Sequence, residues 1–313
     1  VDPFLSCVVR GFAHDPCPSC VRGLPATCAR AGEEGAVHID GRPLGPGTRL
    51  GAHADLPGGW SERIVAHQSQ LLPVDDGLAD QAAVLVEPLA SAFHAVLAAG
   101  VGTRHRKPGL PERPALVLGG GARALGTVRA LRVLGFRGEI VARVGREAEV
   151  ELALSLGATR AAFDEGELRG AMAETGGRAY MPLEGKEVWA GGGFSPVFEW
   201  TGTGAGLGEA IRHAAPRGRV VVAAAGGLPG GELSLAAARA VRLVGVVGHG
   251  PRTGPDPDAS TFRLAHDLLL GDAALVGAMV THVYPLHQFR EALDAAAGRG
   301  REHPVKVLLD PGL

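Results

Sequence analysis

The chain has 313 residues, enough for about two ordinary domains, and its 31 Lys and Arg nearly balance 33 Asp and Glu, leaving a net charge of −2 that speaks against a nucleic-acid binder working through a basic face. Apolar residues at 46% and charged residues at 20% fit a folded protein and not a disordered one. No uncharged apolar run approaches the length of a bilayer span and nothing at the start resembles a signal peptide, so no membrane partner is expected and the cytoplasm is the expected compartment.

The chain opens abruptly on Val1-Asp2-Pro3-Phe4-Leu5, which suggests residues upstream. All four cysteines, Cys7, Cys17, Cys20 and Cys28, fall within the first 28 residues. A disulfide-stapled protein spreads its cysteines across the fold, whereas clustered thiols read as a metal site. The pair Cys17-Pro18-Ser19-Cys20 places two thiolates on one side of a metal, and Gly23 lets the chain turn back so that Cys28 adds a third. The fourth ligand is Cys7 or His14; Cys7 is preferred because thiolate is the softer donor. Such a closed zinc site leaves no position for water and is expected to be structural.

Residues 36–60 are rich in Gly, Pro and Asp and read as loops, and Gly58 to Val65 reads as a turn entering a strand. From Leu78 to Leu97 the apolar spacing is helical, with Asp80 as a cap and an interruption after Glu87 caused by Pro88. Residues 101–114 read as a linker. After it strands and helices alternate: a strand at Ala115–Gly119, a helix at 122–135, strands at Glu139–Arg143 and Ala161–Phe163 with helices at 147–156 and 166–175. A Gly-rich insertion at 176–195 precedes strands at Pro196–Trp200, Arg219–Ala224 and Val241–Val247, with a helix at 206–215 between the first two. A helix near 286–297 and a strand at Val305–Leu309 close the chain. This order predicts an α/β fold with a doubly wound parallel sheet covered on both faces.

The first of these strands runs into Gly119-Gly120-Gly121-Ala122-Arg123-Ala124. As G-x-G-x-x-A, Gly119 makes the tight turn, Gly121 lets a pyrophosphate approach the backbone and Ala124 lets helix and strand pack closely. The helix start adds amide donors and a positive dipole end. The strand before and the helix after supply the context the motif needs. At the end of the second strand no acid stands before Glu147, whereas Arg143 and Arg146 suit a 2′-phosphate, so NADP is favoured over NAD.

The order of features resembles the zinc-dependent medium-chain dehydrogenase/reductase family. It is carried by the cysteine-rich stretch, the Gly58-Gly59-Trp60-Ser61-Glu62-Arg63-Ile64-Val65 segment, Val86-Glu87-Pro88-Leu89 and the glycine turn. Farther on, Phe198-Glu199-Trp200-Thr201-Gly202, Pro216-Arg217-Gly218-Arg219-Val220-Val221 and Thr281-His282 with Pro285-Leu286 continue it. Glu87-Pro88-Leu89 with His94 is similar to the branch of sorbitol, threonine and glucose dehydrogenases.

The resemblance implies a GroES-like, β-rich catalytic lobe at 1–100 lacking its N-terminal part, a Rossmann domain at 101–282 and a return to the catalytic lobe at 283–313. It implies zinc-dependent hydride transfer between a nicotinamide and a small alcohol or carbonyl compound of the polyol, sugar or amino-alcohol type. Glu87 would stand at a catalytic zinc, His94 near the same cleft, and Thr201 and Gly202 on the nicotinamide side. It also implies a homo-oligomer, with the Val241–Val247 strand as a pairing edge. The family's cysteine and histidine ligands of the catalytic zinc have no counterpart in this sequence. A catalytically silent cofactor-binding protein with one structural zinc is therefore the alternative reading.

Overall fold

A computed structural model describes residues 1–102, 112–183, 187–223, 230–251, 260–299 and 304–313. The chain divides into two units. One comprises Val1–Ala90, Gly248–Ala273 and Val280–Leu313; the other comprises Ser91–Val247 and Ala274–Met279. Residues 248–273, which the sequence assigned to the nucleotide lobe, lie with the first unit. Most of the stretch read as a linker, and the end of the strand expected to reach Ala224, fall outside the described residues.

The first unit begins as loops. A single helical turn, α1 (Pro18–Val21), sits inside the cysteine stretch. A two-residue hairpin follows, β1 (His38–Ile39) against β2 (Arg42–Pro43), and an isolated bridge joins Phe4 to Arg49. The guanidinium of Arg10, fully buried, knits these loops by donating to the carbonyl oxygens of Glu33, Gly45 and Gly47. The segment expected as a strand toward Val65 is unpaired among the described residues, and Trp60 and Val65 are 64% and 61% exposed. A strand without a neighbour has nothing to bond its alternate amides and carbonyls, and apolar residues alone do not hold it extended.

The helix expected at Leu78–Leu97 is two helices, α2 (Asp80–Ala83) and α3 (Val86–Ala98). The break comes at Val84–Leu85, ahead of Pro88. Pro88 lies in the first turn of α3, where its missing N–H costs nothing because that turn has no intrahelical acceptor. Asp80 is in the first turn of α2 and Ala79 holds the cap position. By length and mean hydropathy (1.4) Asp80–Ala98 is apolar enough to cross a membrane; 56% of that window is buried within the protein, as in a core helix.

The second unit contains, in chain order, β3 (Ala115–Leu118), α4 (Gly121–Val133), β4 (Ile140–Arg143), α5 (Ala148–Ser155), β5 (Arg160–Ala162) and α6 (Glu165–Glu174). The Gly-rich insertion forms an antiparallel hairpin, β6 (Arg178–Tyr180) against β7 (Val188–Ala190), which sinks Trp189 into the core. Then come β8 (Val197–Glu199), α7 (Gly204–His213), β9 (Arg219–Val222), α8 (Gly230–Ala238) and β10 (Arg242–Gly245). Helix α8 was not anticipated from the sequence.

Six strands form one sheet in the order β10-β9-β8-β3-β4-β5, every pair parallel. Counted from the β5 edge, and leaving the hairpin aside, the strands run 3-2-1-4-5-6. This is the doubly wound Rossmann order, whose direction of progression reverses between β3 and β8. The inner strands read as unbroken apolar runs because both faces are covered: Leu116, Leu118, Val141, Val197, Phe198 and Val220 are all fully or almost fully buried.

The chain then returns to the first unit. Helix α9 (Thr261–Gly277), also unanticipated, bends at Asp272. It is followed by β11 (Val280–Pro285), α10 (Phe289–Ala296) and β12 (Lys306–Asp310), with β11 and β12 paired in parallel.

Candidate functional site

The four cysteine sulfurs of the first unit all lie within 4.8 Å of one another. Cys7 and Cys28 are 3.6 Å apart and Cys17 and Cys28 4.0 Å. At a Zn–S bond of about 2.3 Å, a tetrahedron of sulfurs has edges of about 3.8 Å, so the spacing suits a tetracoordinate ion and is far too long for disulfides. Helix α1 gathers Cys17 and Cys20 in one turn, and Gly23, at φ +71°, carries the chain back toward Cys28. Backbone amides of Cys7, Cys17 and Ala29 donate to the sulfurs of Cys20, Cys7 and Cys17. Burial raises the Cys17 thiol, but the amides of Cys20 and Ala29 and the neighbouring thiols outweigh it and bring the group down to about 6. Burial pushes Cys20 and Cys28 up. His14 is exposed and stands outside this group.

In the second unit the glycine turn sits between β3 and α4, at the point where the strand order reverses. Each motif position has a local reason. Gly119 has φ +112°, and a Cβ there would lie 3.2 Å from the Thr201 amide nitrogen and the Trp200 carbonyl carbon. Gly121, at φ +77°, enters the helix from a left-handed conformation that side chains resist. Ala124 is fully buried, and any larger side chain would push α4 away from the sheet.

Thr201 and Gly202 form the turn after β8. Their amides donate to the buried carboxylate of Glu199, at 2.7 and 3.1 Å, which leaves Thr201 exposed at the carboxyl end of the sheet. The Trp200 indole N–H donates to Thr127 on α4 at 3.0 Å, tying the two turns together.

Two features differ from the sequence reading. Arg143, expected to take a 2′-phosphate, is turned into the fold: its guanidinium donates to the carbonyls of Val144 (2.8 Å) and Phe163, with Glu209 3.9 Å away. Burial raises the carboxyl of Glu209, against the pull of Arg143 and Arg212. Arg146 is half-buried in the β4–α5 turn. The other feature is Glu149, which the sequence reading passed over. It is 2% exposed and accepts from the amides of Gly121 (3.1 Å) and Gly145 (3.3 Å). A carboxylate thus stands against the turn expected to receive phosphates. The signal available in the sequence was an acid in the first turn of α5, past the strand end instead of at it.

Glu87 lies half-buried in the first turn of α3, where the helix dipole favours a carboxylate. His94 is two turns on, on the same stripe of the helix and also half-buried. Neither joins a metal-binding group among the described residues, where the four cysteines are the one cluster of three or more ligand side chains. The donor set present therefore fits a structural zinc and does not make up a catalytic one.

No protein-family model matches the chain. It is 32% identical over 146 residues to (R,R)-butanediol dehydrogenase of Saccharomyces cerevisiae, an alignment covering 47% of this chain and 31% of that relative. It is 25% identical over 301 residues to the zinc-type alcohol dehydrogenase-like protein YdjL of Escherichia coli K12, covering 96% of this chain and 74% of the relative. The chain thus spans about a third of the one and three quarters of the other.

Among solved structures, L-idonate 5-dehydrogenase of E. coli K-12 matches with a TM-score of 0.66 at 20% identity, over 94% of this chain and 72% of that one. An E. coli CFT073 alcohol dehydrogenase complexed with NADH matches with 0.66 at 19%, over 98% and 74%. A Sinorhizobium meliloti 1021 zinc-binding dehydrogenase bound to NADP matches with 0.62 at 23%, over 99% and 75%. The chain thus has the fold of these medium-chain dehydrogenases, and its curated and structural neighbours are zinc-type alcohol and polyol dehydrogenases.

Proposed function

We propose that this chain is an NAD(P)-linked oxidoreductase acting on a small alcohol or carbonyl compound of the polyol, sugar or amino-alcohol type, with Cys7, Cys17, Cys20 and Cys28 holding a structural zinc. The observation that carries the reading is the Gly119–Ala124 turn, placed where the strand order of the sheet reverses. There Gly121 enters α4 in a left-handed conformation with no side chain, and the start of α4 offers amide donors to a diphosphate, the Gly121 amide being held by Glu149 in the unliganded fold. A bound nicotinamide dinucleotide supplies the hydride donor or acceptor. Thr201 and Gly202, fixed by Glu199, border the carboxyl end of the neighbouring strand and would orient the ring. The names of the relatives, a butanediol and an idonate dehydrogenase, support a hydroxylated substrate.

Four thiolates close a metal's coordination shell, so the cysteine site holds the loop together and takes no part in the chemistry. Glu87 and His94 are the side chains proposed to face the substrate. A homo-oligomer is proposed through the β10 edge, where Leu243 is partly exposed. The decisive experiment is a titration of the purified chain with NADH and NADPH followed by nicotinamide fluorescence, with turnover on a polyol panel. Saturable binding of a dinucleotide is expected, and its absence for both would remove the reading. Light scattering checks the oligomer.

A further inference from the structure

We propose that Glu149 is an internal competitor of the dinucleotide: its carboxylate caps the start of α4, and a diphosphate binds there only when that contact opens. The proposal rests on the dinucleotide reading above and concerns how that site is held shut. Glu149 lies in the first turn of α5 and reaches across to the glycine turn. One of its oxygens is 3.1 Å from the Gly121 amide and the other 3.3 Å from the Gly145 amide, and the residue is 2% exposed.

The start of α4 explains why a carboxylate settles there. Its cap position is Gly120, which has no side chain to accept from the first amides. Those free amides and the positive end of the helix dipole favour an anion, and Glu149 supplies one from the next helix. A diphosphate at a helix start meets the same need through the same kind of donor. Two anions within one helical turn, where water is scarce, repel strongly. Carboxylate and diphosphate therefore exclude each other.

Gly120 shows that the contact is built into the turn. Its backbone is extended, with φ −110°, a conformation open to any residue, and the G-x-G pattern leaves the position free. Yet a Cβ there would lie 2.2 and 2.4 Å from the two oxygens of Glu149. The middle glycine makes room for the carboxylate, and this is why the turn carries three glycines in succession. The arrangement trades ligand affinity for stability of the empty turn.

The test is calorimetric binding of ADP-ribose, which needs no turnover, together with thermal melts, on the wild-type chain, Glu149→Gln and Gly120→Ala. The first variant removes the charge and keeps the shape; the second displaces the carboxylate and leaves it in the chain. Both are expected to bind ADP-ribose about tenfold more tightly than the wild-type chain, the worth of one charged hydrogen bond no longer broken. Both are also expected to melt at a lower temperature without ligand. Variants that are folded by circular dichroism and melt lower at unchanged affinity would make Glu149 a helix cap and no more, and would overturn the proposal. A loss of affinity would make the carboxylate a contact of the ligand, and would overturn it as well. If all three chains fail to bind, the dinucleotide reading falls along with this one, a result distinct from equal binding by all three, which removes the proposal alone.

Discussion

In the unit that carries the six-strand sheet, sixteen buried side chains from Leu116 to Ala236 form one apolar cluster. In the cysteine-bearing loops of the other unit, among the described residues, the apolar cluster is one of four, Leu5, Val9, Leu44 and Leu56, with a second made of Cys7, Cys17 and Cys28. These loops are further tied by the buried guanidinium of Arg10. The first arrangement gains its stability by removing apolar area from water; the cysteine-bearing loops bury little such area and rely on directional bonds to sulfur and to backbone carbonyls as well. The sheet and these loops should therefore fail under different insults.

Metal removal is expected to have the largest effect. Four-thiolate zinc binding contributes apparent free energies of about 10–16 kcal/mol in small domains. Chelation, or Cys28→Ser, should therefore unfold the cysteine-bearing segments and leave the sheet in place. Hydrogen exchange read peptide by peptide should show lost protection around residues 5–56 and retained protection in β3, β4 and β8. Metal analysis should find one zinc per chain that leaves with the cysteine. Equal loss across both units would contradict the comparison.

Phe198→Ala is the converse insult. This side chain is fully buried in the central strand β8, and its truncation should cost about 3–5 kcal/mol through lost transfer energy and a residual cavity. Denaturant melts followed by exchange should place that loss in the sheet, with the cysteine segments and their zinc retained.

The smallest expected effect is a pH dependence confined to the sheet unit. Burial lowers His213, on α7, from its ordinary value of 6.5, with the Arg212 and Arg239 charges lowering it further against a hydrogen bond to the Glu209 carbonyl. Below 6.5 the unfolded chain takes up a proton that the folded one refuses, so the contribution is present above that pH and is lost as pH falls toward the lowered folded value. Stability of the sheet unit should rise with pH across that window, by at most about 1.4 kcal/mol per pH unit, and His213→Gln should flatten the rise. Urea midpoints between pH 5 and 7 measure it, and a fall with rising pH would mean that His213 is charged in the fold.

The alternation of apolar runs with helical stripes was legible in the sequence. Strands β3, β4, β8 and β9 carry short apolar runs, Ala115–Leu118, Ile140–Ala142, Val197–Phe198 and Val220–Val222, because they are covered on both faces, and Gly119, Gly121 and Ala124 announce their turn. The Trp60–Val65 segment carried the composition of a strand without a neighbour to pair with, and composition does not report neighbours. Arg143 looked like an anion receptor because it stands at a strand end, but where a long side chain turns depends on which carbonyls lie within its reach. Glu149 escaped notice for the opposite reason: it sits in a helix, and only the packing of α5 on the glycine turn brings its carboxylate to Gly120.

What the order of residues determined by itself was local and periodic: the doubly wound strand succession, the glycine turn, and a cysteine spacing suited to a tetrahedral metal. These follow from backbone sterics and from which side chains avoid water, both readable over a few residues. The tertiary structure alone decided which charges meet. It set Cys7 among the sulfurs and His14 in solvent, spent Arg143 on carbonyls and placed Glu149 against the turn. Electrostatic contacts join groups far apart in the chain within a few ångströms, and no local pattern encodes that distance.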